Sequence, residues 1–343
     1  MMSQFRTGLF IISLDFELYW GVRDKRTAAS YRENLHGTHK AVLEILRLFK
    51  KYKIHATWST VGFLFFRSRE SLLKNLPAAL PGYRDLNLCP YRYFFESEDL
   101  EPDFHFATDL LQAIAEIPGQ EIGTHTFSHF YCLEEGVTRE SFSADLCQAQ
   151  KIGSQAGHFP ESLVFPRNQW RRDFLPLLSE QGIQCYRGVE DHPAYAATAG
   201  RHQGYIRRAI RLIDSYLPIT GHHTFGPNRC TGEVPYNIPA SRFLRPYTPK
   251  LRWFDPLKKK RILASLRHAA THKQAFHLWW HPHNFGRHLE QNAGFLERIL
   301  QEYRLLSDRF GMRALSMSET AKELAFWTKP LRGRRLRPLD VEL

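Results

Sequence analysis

The sequence has no apolar run long enough to span a bilayer. The run near its start, residues 8–14, is too short for a membrane helix, and no small-residue cleavage site follows it. This absence argues against a transmembrane anchor and against a signal peptide. We therefore predict a cytoplasmic protein.

Cysteine is scarce and shows no pattern. The five cysteines form no CxxC pair and lie scattered along the chain, at positions 89, 132, 147, 185 and 230. An odd, scattered set is typical of free thiols in a reducing compartment, and it argues against a disulfide framework.

Acidic residues are the minority among the charges. The chain has 35 Asp and Glu against 47 Lys and Arg, a net charge of +12, which indicates an anionic partner such as phosphate, an acidic saccharide or a membrane surface. No helix-turn-helix, zinc-finger or RNA-binding signature accompanies the basic residues. We therefore rank nucleic-acid binding last and expect no nucleic-acid partner.

Strand-like and helix-like segments alternate over the 343 residues. Runs of apolar, branched and aromatic residues predict strands over residues 9–14, 54–60, 120–124, 162–169, 184–188 and 275–280. Helical spacing predicts helices over residues 36–52, 109–116, 139–153, 174–182, 294–310 and 318–327. The pattern predicts one α/β domain over 1–328, with irregular stretches over 76–103 and 190–237 and a basic, frayed tail over 329–343.

Metal-ligand residue types follow two of these strands. His125 and His129 are four residues apart, so one helical turn would direct both rings to a common point, as a divalent metal requires. Asp15 and Glu17 follow the first strand at i and i+2, where an extended chain projects both to the same side. Polar turn residues and a helix-capping acid are the simpler interpretations of the same patterns.

Other polar residues follow the remaining strands. Arg167 and Asn168 lie near the end of strand 162–169, and His281, His283 and Asn284 follow the last one. Trp279 and Trp280 alternate in direction, so one of the two belongs to the core.

Four motifs occur in the order that is found in one known family. They are Asp15-Phe16-Glu17, His125-x-x-x-His129, Phe165-Pro166-Arg167-Asn168 and Leu278-Trp279-Trp280-His281. Over about residues 8 to 325 the chain resembles the polysaccharide deacetylase family, also called the NodB-homology or carbohydrate esterase 4 family. The first motif departs from the usual pattern, because its two acids are separated by one residue and the second acid is glutamate.

The resemblance implies a distorted (β/α) barrel of about seven strands, of NodB-homology type, that removes N-acetyl groups from sugars with a bound divalent metal. Carried over by motif, the metal ligands are Glu17, His125 and His129, and we expect Zn²⁺. Asp15 is the implied base, although the roles of the two acids could be exchanged.

The remaining roles follow the same reasoning. We expect Arg167 to orient Asp15 and hold it ionised, and His281 to protonate the departing amine, with His283 as a competitor for that role. The predicted substrate contacts are Trp280, His283, Asn284 and Asn168.

Two alternatives concern the reaction and one expectation concerns location. The chain could hydrolyse another non-peptide C–N bond, as allantoinase-like relatives do, or it could be an inactive saccharide-binding relative. Basic residues interleave with aromatic ones over residues 242–268. This segment predicts peripheral contact with an anionic membrane surface on the cytoplasmic side, although a helix that packs on the barrel is at least as good an interpretation.

Overall fold

In a computed structural model of the protein, residues 4–97, 100–199, 204–230 and 233–328 are described. The predicted tail, residues 329–343, lies outside these ranges. Nine strands form one sheet: β1 Leu9–Phe16, β2 Ala56–Thr60, β3 Gln120–Thr124, β4 Ser162–Leu163, β5 Cys185–Gly188, β6 Tyr236–Pro239, β7 Arg242–Phe243, β8 Ala275–Trp280 and β9 Arg313–Leu315.

The sheet is parallel and has the spatial order β6-β5-β4-β3-β2-β1-β8-β7. The segment between β6 and β7 bonds to strands on both sides of the sheet. Ala240 donates its N–H to the carbonyl of Gly188 in β5, and Ser241 donates its N–H to the carbonyl of His277 in β8. β9 pairs with the first half of β1, and β2 pairs with the second half of β1. The predicted distorted barrel is confirmed. The strand order contains eight strands, whereas about seven were predicted, because one short segment contributes both β6 and β7.

Helices surround the sheet. They are α1 Ala28–Tyr52, α2 Arg69–Leu73, α3 Pro90–Glu96, α4 Pro102–His105, α5 Thr108–Ala115, α6 Arg139–Gln155, α7 Leu175–Glu180, α8 Tyr205–Asp214, α9 Asp255–Thr271, α10 His283–Gly286, α11 Leu289–Phe310 and α12 Met317–Thr328. None of them, within the described ranges, combines the length and hydrophobicity that a membrane span requires.

Local sequence explains the best-defined elements. All eight residues of β1 are buried, as expected for a parallel strand that is covered on both faces. The side chain of Thr138 accepts the N–H of Ser141, and the Ser141 side chain accepts that of Thr138, so a capping box begins α6. α1 begins after Thr27, which accepts the N–H of Ser30.

Several predicted boundaries are wrong. α1 begins eight residues before the predicted position 36, and β4 covers only Ser162–Leu163 of the predicted 162–169. The stretches predicted to be irregular contain helices, α3 and α4 in the first and α8 in the second. The basic segment 242–268 contains α9, and Ile262 and Leu266 on it lie in the core, as expected for the alternative of a helix that packs on the barrel.

Candidate active site

The carboxyl ends of neighbouring parallel strands bring the predicted site residues together. Asp15 is the penultimate residue of β1, and Glu17 directly follows that strand. β8 ends at Trp280, just before His281. β2 lies between β1 and β3, the strand that leads to His125. The site therefore occupies the edge of the sheet at which parallel barrels carry their chemistry.

The segment that carries both histidines is not helical, so the predicted helical turn is wrong. Residues 125–130 form an irregular loop with bends at 125, 127 and 128, and Thr126 and His129 adopt left-handed backbone conformations, with φ of 66° and 60°. Such conformations are uncommon for residues other than glycine and require support from the surroundings. The two rings still meet, with centroids 5.0 Å apart, because the loop folds back on itself.

Asp145 of α6 supplies that support. Its carboxylate accepts the N–H groups of Phe127 at 2.7 Å and Ser128 at 3.1 Å, and the Ser128 hydroxyl as well. The Thr126 hydroxyl accepts the N–H of Phe130 at 2.7 Å. Burial raises the pKa of Asp145 to about 7, against the lowering effect of the hydrogen bonds from Ser128 and Phe127. One buried carboxyl group therefore holds the histidine loop.

His125 is oriented as a metal ligand. Its Nδ1 donates to the carbonyl of Val164 at 2.7 Å, which fixes the tautomer with the lone pair on Nε2. Nε2 is buried, has no hydrogen-bond partner among the described residues, and lies 3.3 Å from Oε2 of Glu17. Nε2 of His129 lies 2.9 Å from the same Glu17 oxygen.

These three ligand atoms suit a divalent metal. One atom from each of Glu17, His125 and His129 lies within 4.8 Å of the others, and all three side chains are buried. Two imidazoles and one carboxylate form a three-ligand donor set of the kind found in catalytic zinc sites. Burial raises the pKa of Glu17, but His281 and His129 outweigh it and hold the pKa well below its usual value. For His129, burial lowers the pKa to about 4 despite Glu17, so the ring is neutral at neutral pH, as a ligand must be.

Gly21 makes the position of Glu17 feasible. A Cβ atom built on Gly21 would lie 2.0 Å from the carboxyl carbon of Glu17 and 2.1 Å from one of its oxygens. Only glycine leaves room for the carboxylate at this point of the 3₁₀ turn Leu18–Gly21.

The arginine beside Asp15 is Arg187, and the predicted contact with Arg167 is wrong. Arg187 donates from Nη1 to Oδ1 at 2.7 Å and from Nη2 to Oδ2 at 2.8 Å, a bidentate pair whose two side chains are 0% and 5% exposed. Arg167 instead pairs with Asp24 and lies over the ring of Tyr131.

The backbone explains this difference. Arg187 is within β5 and projects from a strand, whereas Arg167 follows the short β4 in a tight turn with φ of 55° and pairs with Asp24. Burial raises the pKa of Asp15, but Arg187 and His125 outweigh it and bring the pKa below its usual value. The sequence signal for Arg187 was a single cation within a short, otherwise uncharged strand.

A buried hydrogen-bond network, formed by Ser13 and His277, supports Arg187. Ser13 accepts a hydrogen bond from Arg187 Nη1 at 3.0 Å and lies 2.8 Å from Nε2 of His277. His277 Nδ1 lies 3.1 Å from the carbonyl of Pro239 and must be the donor there, so Nε2 accepts the Ser13 hydroxyl. Burial lowers the pKa of His277 to about 3, which keeps the ring neutral.

His281 is the better-placed of the two candidate acids. Its Nε2 lies 3.7 Å from Oδ2 of Asp15 and 3.6 Å from Oε1 of Glu17, and its side chain is 23% exposed. His283 lies 4.0 Å from Glu17 and is buried, and burial lowers its pKa to about 3, so it is neutral at neutral pH. Asn284 donates from Nδ2 to Nδ1 of His281 at 3.3 Å and thereby orients the ring.

The prediction that Trp280 contacts substrate is wrong. Trp280 is fully buried and stacks on Phe285 in the core. Trp279 is only half-buried, and Arg187 lies over its ring at 4.2 Å, so the aromatic surface beside the site is Trp279. Asn168 accepts a hydrogen bond from Arg187 at 3.0 Å and lines the same cleft as His281.

Solved structures with this architecture share little sequence with the chain. A Mycobacterium smegmatis protein assigned to the polysaccharide deacetylases is 14% identical, with a TM-score of 0.57, and the match covers 95% of this chain and 93% of that one. A Pseudomonas aeruginosa PAO1 protein with the same assignment is 13% identical, with a TM-score of 0.52 and coverage of 92% and 90%. An allantoinase is 12% identical, with a TM-score of 0.54 and coverage of 92% and 89%. At such identities these likenesses show the fold alone.

A family comparison agrees with the resemblance seen in the sequence. Residues 36–186 match the family model described as polysaccharide deacetylase, the family whose ordered motifs the chain resembles. The matched segment contains His125 and His129, whereas Asp15, Glu17 and His281 lie outside it. No curated protein matches the chain.

Proposed function

We propose that the protein is a metal-dependent hydrolase that removes the N-acetyl group from an N-acetylated sugar, carried by a polysaccharide, a lipid or a nucleotide. The observation that carries the proposal is the convergence of a three-ligand donor set with a separate carboxylate and histidine: Asp15 and His281 lie within 4 Å of one another, and His281 lies 3.6 Å from the ligand Glu17. The family domain supports a hydrolase that acts on C–N bonds.

Glu17, His125 and His129 would hold the metal, which we propose to be Zn²⁺. When bound there, such an ion would polarise the amide carbonyl and make water acidic enough to act as a nucleophile near neutral pH.

The protein's own groups divide the proton transfers. Asp15 would accept the proton of the attacking water, because the bidentate contact with Arg187 keeps its carboxylate ionised. His281 would deliver a proton to the departing amine nitrogen; its partial exposure lets it take up that proton from solvent. His283, neutral and buried, would position Glu17 and is unsuited to the acid role.

The shape of the surroundings favours a saccharide over a small amide. A cleft of about 460 Å³ borders His281 and Trp279, and a second cleft of about 620 Å³ is lined by Asp24 and Arg167 on the side of the histidine loop. The buried Tyr131 lies between this second cleft and the site, since its ring contacts Arg167 and is 5.0 Å from that of His129. A ligand of several rings could extend into both clefts, whereas a closed pocket would suit the allantoinase-like alternative.

The proposed location is the cytoplasmic face of a membrane, and the structure changes which residues would make that contact. Lys258 and Arg261 are buried, and Lys258 pairs with Asp255 at 2.8 Å, so they are not available. Large apolar side chains remain exposed before α9 and on α8, including Trp253 at 78% and Ile206 at 77%. They would enter the headgroup region of anionic vesicles.

Liposome co-sedimentation tests the location. We expect replacement of Ile206 and Trp253 by Ser to weaken binding to anionic vesicles, while Leu305→Ser, at a 65% exposed position on α11, leaves it unchanged. Binding that is absent, or equal in all three proteins, would remove the membrane contact.

Acetate release from a panel of N-acetylated sugars, polymeric, nucleotide-linked and lipid-linked, tests the reaction, together with metal analysis of the purified protein. We expect release from at least one sugar, loss after chelation and recovery with Zn²⁺. Hydrolysis of allantoin and of no sugar would favour the small-amide alternative, and saccharide binding without hydrolysis would favour the inactive relative.

A further inference from the structure

The cleft beside His281 is lined on one side by arginines. Arg208, Arg211 and Ser215 face it from α8 and the residue after it, at the i, i+3 and i+7 spacing of one helical face, and Arg245 faces it from the segment after β7. We call these residues the arginine pocket. The same cleft is lined by Trp279 and His281, so the pocket is continuous with the proposed reaction centre.

The positive charge of the pocket is not compensated by the protein. A fourth arginine, Arg242, pairs with the buried Asp214. By contrast, Arg208, Arg211 and Arg245 form no ion pair within the parts of the chain that the structure describes. The only carboxylate among the lining residues is Glu190, a single charge against three.

Two of the guanidinium groups are held in place through Nε alone. Arg211 donates from Nε to the carbonyl of Arg207 at 3.3 Å, and Arg245 donates from Nε to the hydroxyl of Ser215 at 3.3 Å. Ser215 in turn donates to the backbone carbonyl of Arg211 at 2.8 Å, so the Arg245 guanidinium is anchored through Ser215 to the last turn of α8. The terminal nitrogens of both are left for a ligand. A solvated surface arginine would not need such anchoring, and both side chains are half-buried.

We propose that the arginine pocket binds a phosphoryl group of the N-acetylated substrate, so that the substrate is a sugar phosphate or a phosphate-linked glycan. This inference rests on the proposed deacetylation. Arginine binds phosphate through paired N–H donors, and a phosphoryl group offers three oxygens and up to two negative charges to three uncompensated guanidiniums. The volume of the cleft, about 460 Å³, exceeds that of the phosphoryl group and leaves room for a sugar ring between it and His281.

Kinetics with matched sugars test the pocket. For wild type, we expect a lower KM for N-acetylglucosamine 1-phosphate than for N-acetylglucosamine. Arg211→Ala and Arg245→Ala should each raise KM for the phosphorylated sugar by roughly ten- to a hundredfold, the effect of losing a hydrogen bond to a charged group, and leave KM for the neutral sugar unchanged. Arg304→Ala, an exposed arginine paired with Asp308 on α11, removes the same charge elsewhere and should change neither. An equal rise in KM for both sugars would overturn the proposal.

Direct binding separates this inference from the reaction itself. If no sugar in the panel releases acetate, the proposed function fails, but calorimetric titration of the metal-loaded protein with the sugar phosphate still tests the pocket. We expect binding that is lost in Arg211→Ala and retained in Arg304→Ala; the absence of binding by wild type would overturn the proposal. Inorganic phosphate that binds as tightly as the sugar phosphate would also overturn it, because the site would then recognise the anion alone. The same titration with a lipid-linked sugar phosphate in neutral vesicles distinguishes a lipid-linked substrate from a soluble one.

Discussion

Arg187→Met removes the cation that faces Asp15 while keeping a side chain of similar length. Asp15 has a buried carboxylate whose two oxygens accept from Arg187 at 2.7 and 2.8 Å. Without that partner, burial acts on Asp15 with only the more distant His125 and His281 to oppose it, so the pKa of Asp15 must rise. A protonated Asp15 cannot accept a proton from water.

The size of the effect follows from the burial of the pair. Removing one partner of a buried ion pair costs about 3–5 kcal/mol, so the ionised form of Asp15 should be destabilised by a cost of this order and the pKa of Asp15 should rise. The pKa of Asp15 is low in the wild type, so activity should persist as the pH falls toward that value. In the variant, activity should be lost at a higher pH, as the pH falls through the raised pKa. At neutral pH we expect kcat to fall only by the fraction of Asp15 that becomes protonated, a smaller loss than the roughly 10² to 10⁴ that removal of a general base costs.

The assay is the pH profile of kcat/KM for Arg187→Met, with metal content and near-UV circular dichroism as checks on the site and the fold. Arg187→Lys keeps a charge but loses the bidentate geometry, so its acidic limb should lie between those of the wild type and Arg187→Met. Arg167→Met is the matched control, because Arg167 pairs with Asp24. An unchanged acidic limb in a folded, metal-loaded Arg187→Met, or a shifted limb in Arg167→Met, would refute the reasoning.

Four further predictions concern the metal, its loop and the core. His125→Ala should lose the metal, whereas Asp15→Asn should keep it and lose turnover; the reverse pattern in metal analysis would exchange the roles of ligand and base. Gly21→Ala, whose Cβ would lie 2.0 Å from a ligand carboxyl carbon, should weaken metal affinity by roughly tenfold or more in a chelator competition. Trp280→Ala should lower the free energy of unfolding by about 3–5 kcal/mol in urea without raising KM, since the side chain is fully buried. Because the pKa of Asp145 is raised, the folded protein binds more protons than the unfolded chain between about pH 4 and 7. The contribution of Asp145 to the free energy of unfolding should therefore fall as the pH rises through that range, by at most about 1.4 kcal/mol per pH unit. Asp145→Asn should lack this pH dependence in urea unfolding.

The parts of the fold that depend on local pattern could be predicted from the sequence. β8 has the predicted bounds and β1 is two residues longer than predicted, because a parallel strand buried on both faces is a largely apolar run. β3 also has the predicted bounds, although its first two residues are only partly buried. The strands that were missed or cut to a small part of the predicted segment, β4, β6, β7 and β9, have two to four residues each. Such short strands are defined by pairing with neighbours that are distant in sequence, and no local pattern reports that pairing.

The same division applies to the site. The residue types of Glu17, His125 and His129, and their placement after strands, indicated one metal centre before any coordinates, and the three side chains do converge. The geometry was not local, however: the histidines meet through a loop that Asp145 of α6 holds in left-handed conformations, and the expected helical turn is absent. Sequence spacing could predict that the rings approach one another but not how the backbone brings them together.

Which arginine faces Asp15 and which tryptophan faces the cleft depends on long-range packing. Arg167 and Arg187 both follow or occupy short strands, and they differ in that a left-handed turn at Arg167 directs its side chain to Asp24. Trp279 and Trp280 alternate across β8, and the choice between them depends on which face of that strand packs against Phe49 and Phe285. A strand's sequence fixes that its side chains alternate, but the elements that cover each face fix which of them is buried.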